Sequence, residues 1–266
     1  MEHRPDNTHV IAFHGSDHKN GVTMIAQSVS QLICREYPKL SVIFLGMNGR
    51  PSCEYIQGEI HGIEDLHVHL DNRTLSAEEI KMMCHVKDNF YMMSGVRNLM
   101  EVRSFFPETA QFLIGTICGC FDVIICDTGN DTDNGLAVGA LCSSGQRYFV
   151  LAQNEGSLRE YEKKLWLYRK LGIRYDGVVL NKYYPRDPCD LSYVSQRLGI
   201  PKDEIRKVAL TGYARQAEMQ HQTLLDYRND SYEMDIRGLA AMILKNIGVE
   251  YQQERRWKRL WKTGSI

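Results

Sequence analysis

The sequence predicts an α/β fold, a three-layer sandwich in which helices cover both faces of a mostly parallel, twisted sheet. Three observations carry that expectation. Short apolar runs alternate with helical patterns along most of the 266 residues, the mark of crossovers between parallel strands. The stretch Val123-Ile-Ile-Cys126 is apolar without alternation, as in a strand buried on both faces. The first strand runs into a glycine-containing loop and then a helix, a connection that aims backbone N–H groups at one point.

The first strand covers 10–13. The helix behind it repeats apolar residues at Val22, Ile25, Ala26, Val29, Leu32 and Ile33, one stripe at helical spacing. A second strand is expected at 41–45, ending in the loop Gly46-Met-Asn-Gly-Arg-Pro-Ser52, and a short strand at 90–93. A helical stretch over 108–118 leads to the apolar strand that ends in Asp127-Thr128. Two more apolar strands are expected at 147–152 and 176–180. Between them, 157–172 reads as an amphipathic helix with Leu158, Tyr161, Leu165 and Tyr168 on one face and Gly172 as its stop. A last strand at 208–210 and a closing helix at 234–245 complete the pattern. Ligands of such sheets sit at the carboxyl ends of the strands, where each motif below falls.

Composition narrows the classes. Lys and Arg number 32 against 33 Asp and Glu, a net charge of −1, so the overall field does not favour a nucleic-acid partner. The eight cysteines have no regular spacing, and Cys118 and Cys126 lie in apolar runs, which is how free thiols look in a reducing compartment. The N-terminus lacks the apolar core of a signal peptide, and no stretch approaches the roughly 20 apolar residues of a membrane span. A cytoplasmic protein is expected, with one domain over 1–248, the first eight residues without order, and a basic tail over 249–266.

The loop Gly15-Ser-Asp-His-Lys-Asn-Gly-Val-Thr23 has the frame of a phosphate-binding loop. Such loops place lysine directly before the Ser/Thr that contacts Mg²⁺, and here Val22 precedes Thr23. In order and spacing these pieces resemble the MinD/ParA family of P-loop ATPases, the class with a deviant Walker A loop, over roughly 10–248. Laid on that family's K-G-G-x-G-K-T, the chain has Asp17 and Val22 in place of the two lysines and keeps Gly21 and Thr23. The family's D-x-D after the second strand becomes Gly46 and Asn48, and an amide cannot accept a proton as a carboxylate does. Asp127 stands where the resemblance implies a carboxylate that holds Mg²⁺ through water, opposite Thr23. Asn181 and Lys182 stand where the family reads the adenine edge and packs the base. The resemblance therefore implies ATP or ADP with Mg²⁺ as cofactor, bound by Gly15, Lys19, Gly21, Thr23, Asp127, Asn181 and Lys182. Phosphoryl transfer depends on positioning and charge neutralisation, so losing a lysine and a carboxylate together is expected to leave hydrolysis weak or absent. Asp17 and Asp127 without a lysine between them oppose nucleotide binding unless Mg²⁺ intervenes. The alternative is an active ATPase that positions cargo, with Lys19 in place of the missing lysine. A dinucleotide-binding oxidoreductase fails on the first turn, which lacks G-x-G-x-x-G, and on the second strand, which ends without an acidic residue.

The segment 74–95 is similar to CpaE/TadZ-type members, localisation or assembly factors of pilus secretion systems, which place a short helix and then a strand there. The resemblance implies a homodimer across the nucleotide face and a scaffold at the inner face of the membrane, with a partner in pilus or secretion machinery. In the tail, Trp257, Leu260 and Trp261 fall at i, i+3 and i+4, with Arg255, Arg256, Lys258, Arg259 and Lys262 around them. A basic helix with tryptophans on one face suits an anionic membrane surface, each basic group adding about 1 kcal/mol. It resembles the C-terminal membrane-targeting helix of MinD-type proteins. Packing on the core or docking in a partner's groove are the alternatives.

Other features read more plainly. His67 and His69 have strand spacing and are expected as surface histidines of an edge strand, not metal ligands. Cys118 and Cys120 are expected as packed thiols, and Met82, Met83, Met92 and Met93 as core. His14 and His18 flank the loop, either meeting phosphate when protonated or filling the loop.

Overall fold

Side-chain alternation along the strands sets the architecture. The strands are β1 (Val10–Gly15), β2 (Val42–Gly46), β3 (His85–Lys87), β4 (Phe90–Met93), β5 (Val123–Asp127), β6 (Gln146–Ala152), β7 (Gly177–Tyr183) and β8 (Ile205–Ala209). In the computed structural model, which describes residues 7–98 and 100–250, they form one sheet in the order β3-β4-β2-β5-β1-β6-β7-β8. Every pairing is parallel except β3 with β4 at the edge.

The helices are α1 (Val22–Glu36), α2 (His67–Asp71), α3 (Ala77–Cys84), α4 (Pro107–Ile117), α5 (Gly135–Ser143), α6 (Glu155–Lys170), α7 (Leu191–Leu198), α8 (Ala214–Gln220) and α9 (Asp230–Asn246). On β1, Ile11 and Phe13 point into the core beneath α1 and α9, while Val10 and Ala12 point into the core beneath α4, α5 and α6. On β5, Val123 and Ile125 face the first core and Ile124 and Cys126 the second. Both faces are thus covered, which is why these strands carry no polar alternation. Phe13, Phe44 and Phe149 are wholly buried, each worth about 1.5–3 kcal/mol in transfer from water.

The chain moves outward from β1 through β2 to β4, returns to β5, then moves outward the other way through β6, β7 and β8. The carboxyl ends of β1 and β5, where that direction reverses, form the crevice in which such sheets bind ligands. The register aligns them: Phe13 pairs with Asp127, Gly46 with Asp127, Gly15 with Val150, and Ala152 with Asn181.

Several boundaries differ from the sequence expectation. The seventh strand runs on through Asn181 to Tyr183, and the eighth is centred earlier, on Ile205–Ala209. His67 and His69 lie not on a strand but in α2. The apolar period there belongs to Ile63, Leu66 and Leu70, at i, i+3 and i+7, which are buried, so the helical spacing of the buried residues overrides the alternation of the histidines. His67 packs on Phe105 with ring centroids 4.8 Å apart and lies 3.4 Å from Asp71. No cluster of three metal-ligating side chains occurs among the described residues. Cys118 and Cys120 are half-buried free thiols against the core, as expected. Of the methionines, Met92 and Met93 are core, Met83 packs partly, and Met82 is exposed.

Candidate functional site

The glycine loop is held from beneath by a polar cluster. Asn20 is buried, and its amide donates to Ser16 Oγ (2.7 Å), Ser157 Oγ (3.1 Å) and the Val150 carbonyl (3.3 Å). Asn181 donates to the Asn20 carbonyl at 2.7 Å. Lys182 Nζ donates to the Lys19 carbonyl at 2.5 Å, and burial beside Lys19 pulls the Lys182 ammonium below its ordinary range. Within the loop, the N–H groups of Gly15 and Ser16 donate to the Gly129 and Val150 carbonyls, and that of His18 donates to Asp17 Oδ1. Lys19 and Gly21 have φ of 58° and 86°, a left-handed backbone that glycine adopts freely and lysine at a cost. Gly21 has a second reason: a β-carbon there would stand 2.4 Å from the Asn181 amide nitrogen.

Gly21 is also the N-cap of α1, and no side chain caps that helix and no acidic residue lies in its first turn. Its leading N–H groups and dipole are therefore free for an anion. Val22 is buried, and a β-carbon on Gly15 would meet its Cγ2 at 2.8 Å. The residue in the lysine position thus packs against the end of β1.

Asp127 ends β5, wholly buried beneath the cleft. Its Oδ2 accepts from Thr23 Oγ1 at 2.6 Å and from the Asn48 amide at 3.1 Å, and its Oδ1 from the Gly129 N–H at 3.0 Å. Burial pushes this carboxyl above its ordinary range, and the Thr23, Gly129 and Asn48 donors oppose that push. Gly46, at the first aspartate position of the family's D-x-D, has no room for a side chain: a β-carbon would lie 2.4 Å from the Gly95 nitrogen.

A cleft of about 210 Å³ lies over this floor, bordered by Asp17, His18, Lys19, Gly21, Val22, Thr23 and Asn48. Arg50, Glu54 and Asn130 also border it, none of them anticipated from sequence. Glu54 is raised by burial and by the neighbouring Asp127 charge. Arg50 is more than half exposed, 3.9 Å from Asp131. Gly15, Lys19, Gly21, Thr23, Asp127 and Asn48 are thus brought together, whereas Asn181 and Lys182 support the loop from behind and are not cleft residues. His18 is exposed on the rim. His14, in contrast, is not a loop group: it is wholly buried in β1, bonded to Thr128 and Tyr168, and burial with the nearby Lys164 charge lowers it to about 3. It stays neutral and does not meet an anion.

Sequence reasoning also missed Lys164. From α6 its ammonium donates to the carbonyls of Ser16 (2.8 Å) and Asn130 (2.7 Å), tying the glycine loop to the loop behind Asp127. Burial lowers it, partly offset by Asp131, Glu160 and Asp17. A signal was present: Lys164 is i+3 from Tyr161 and i−4 from Tyr168, inside the apolar stripe rather than on the polar face.

The donor set fits a magnesium-bound phosphate in part. Main-chain N–H groups, Thr23 and Asp127 suit it; a fixed side-chain cation at the lysine position is missing. The tail residues Arg255, Arg256, Trp257, Lys258, Arg259, Leu260, Trp261 and Lys262 lie outside the described residues. No helix among the described residues is long and apolar enough to cross a membrane.

No family model and no curated protein matches the chain. Solved structures do. A ParA family ATPase from Chlorobium tepidum superposes with a TM-score of 0.75 at 19% identity, covering 86% of this chain and 96% of that one. The septum site-determining protein MinD from Pyrococcus horikoshii, solved with Mg-ADP, gives 0.69 at 14%, covering 89% and 97%. A Cyanothece McdA variant complexed with ATP gives 0.67 at 12%, covering 91% and 97%. The fold is therefore the one these ParA- and MinD-type ATPases have, as the sequence pattern predicted.

Proposed function

We propose that the chain is a positioning or partition protein of the ParA/MinD type that binds Mg²⁺-nucleotide and turns it over weakly or not at all. The observation that carries this reading is the Thr23–Asp127 pair at the uncapped start of α1, beside a Val22 packed against Gly15. Thr23 and Asp127 would hold Mg²⁺, and the loop N–H groups would hold phosphate. Bound Mg²⁺ would supply charge neutralisation that no side chain at the lysine position gives. Asn48 donates to Asp127 and is not a base, so the water-orienting carboxylate has no replacement in this cluster.

A protein that holds nucleotide without resetting serves as a scaffold. The remaining parts of the reading rest on the sequence: a homodimer across the cleft face, a tail from Arg255 to Lys262 that holds an anionic membrane surface, and a CpaE/TadZ-like role in pilus or secretion assembly. Similarity to a MinC:MinD complex from Aquifex aeolicus, at a TM-score of 0.65, supports the class of partner-binding scaffold. Titration with fluorescent ATP and ADP, with and without Mg²⁺, tests the core of this reading. Binding that weakens in Asp127→Ala supports it, and steady hydrolysis at an efficient rate contradicts it.

The rival, an active ATPase using Lys19, draws on the position of Lys19 at the cleft border. Lys19→Ala separates the two, since an enzyme loses turnover while a scaffold keeps binding.

A further inference from the structure

A second pocket, about 270 Å³, opens at the opposite end of the sheet, beneath α6 and beside the start of β7. Its walls are apolar and aromatic, from Tyr161, Leu165, Tyr168, Ile173, Val178 and Ile200. Tyr175 enters the same pocket, where its buried hydroxyl interacts with that of Tyr168 but has no hydrogen-bond partner of ordinary geometry. Leaving such a donor unpaired costs folding energy, which a ligand acceptor recovers on binding. Arg169 and Arg174 border the pocket, and no ion pair of either is found among the described residues. Glu204 is the single carboxylate on the border, so the mouth carries a net positive charge.

The pocket floor is wired to the candidate nucleotide site. Tyr168 OH lies 2.9 Å from His14 Nε2, and His14 Nδ1 lies 2.9 Å from Thr128 Oγ1, which donates to the Phe13 carbonyl. Because the Thr128 proton is committed, Nδ1 of the neutral imidazole donates and Nε2 accepts from Tyr168. Thr128 directly follows Asp127. α6 carries both connections, since Lys164 on the same helix holds Ser16 and Asn130.

We propose that this pocket is a second ligand site, for a small organic carboxylate with an apolar ring, and that the Tyr168–His14–Thr128 relay carries its occupancy to the loop behind Asp127. The ring fills the aromatic chamber, an acceptor atom takes the Tyr175 hydroxyl, and the carboxylate meets Arg169 and Arg174. The relay is buried and has one consistent set of donors and acceptors, so reorienting Tyr168 must be felt at His14.

The test uses the full chain without nucleotide, so its failure is separate from failure of the nucleotide reading. Phenylacetate is titrated against isotope-labelled protein, with neutral 2-phenylethanol as comparison, following backbone amides and the His14 ring by NMR. For a ligand of this size, saturable binding of phenylacetate with a dissociation constant on the order of 1 mM is expected, together with a shift of the His14 ring. Arg169→Ala with Arg174→Ala, both exposed, should weaken phenylacetate about tenfold and leave 2-phenylethanol unchanged; Tyr175→Phe should weaken both. No saturable shift at the pocket, or phenylacetate binding indifferent to the arginine pair, overturns the site. Binding without any change at His14 overturns the relay.

Discussion

Where the sequence resemblance implies reactive groups, Val22 packs and Asn48 donates. Val22 buries its side chain against Gly15 and Asn48 hands its amide to Asp127. Val22→Lys should put a cation back at the head of α1 and tighten Mg-ATP about tenfold, the scale of one charged hydrogen bond. It should also cost about 1–3 kcal/mol of stability by crowding Gly15; isothermal titration and urea unfolding read the two effects. His14 gives a pH prediction. Its folded value is lowered to about 3 from 6.5, so between those values the unfolded chain takes up a proton that the folded one refuses. Stability from this group is present above about pH 6.5 and is lost as pH falls toward 3. Between pH 7 and pH 5 the native chain should lose about 2 kcal/mol more than His14→Gln, measured as the difference of two urea midpoint series. Comparing the two chains removes the carboxylates common to both. Neither the burial of His14 nor its partners was legible in sequence, because Thr128 and Tyr168 are distant in the chain and meet it only across the folded sheet.

At the scale of elements, the strands were the most legible part. Unbroken apolar runs mark central parallel strands, and Asp127 at the end of one located the floor of the cleft. The helices α5, α7 and α8 carried weak patterns, and α2 was misread because two histidines alternate inside a short helix whose period is set by Leu66 and Leu70. α6 was placed correctly, but Lys164 was hidden among its neighbours in Glu162-Lys163-Lys164, where charge alone points to solvent. Its two bonds tie the glycine loop to the Asp127 loop. Lys164→Met should therefore speed amide exchange around 16–21 and 129–131 and cost about 1.5–3 kcal/mol of stability; exchange unchanged in both loops would show that the tie is incidental. On the same face, the capping box of α3, in which Ser76 accepts from the Glu79 N–H and Glu79 from the Ser76 N–H, predicts a loss of about 1 kcal/mol in Ser76→Ala, readable by thermal unfolding.

For the whole molecule, an eight-stranded ParA/MinD-type sheet brings three loops to one cleft, and the order of motifs along the chain was enough to foresee that meeting. What the order could not give is how the loop is held. Asn181 and Lys182 brace it from behind, and Gly46 sits where an aspartate has no space beside Gly95. The residues at these positions are thus built into the packing. Restoring a single residue at Gly46 should destabilise the fold and not recover turnover. The proposed loop holds Mg²⁺-nucleotide but lacks the groups to cleave it. The most direct measurement is one experiment on the purified chain: fluorescent ATP binding with and without Mg²⁺, alongside phosphate release, in the native chain and in Asp127→Ala. Mg²⁺-dependent binding is expected, weakened at least tenfold by the substitution, with no phosphate release above background. Sustained phosphate release that Asp127→Ala abolishes, or no nucleotide binding with Mg²⁺ present, would contradict it.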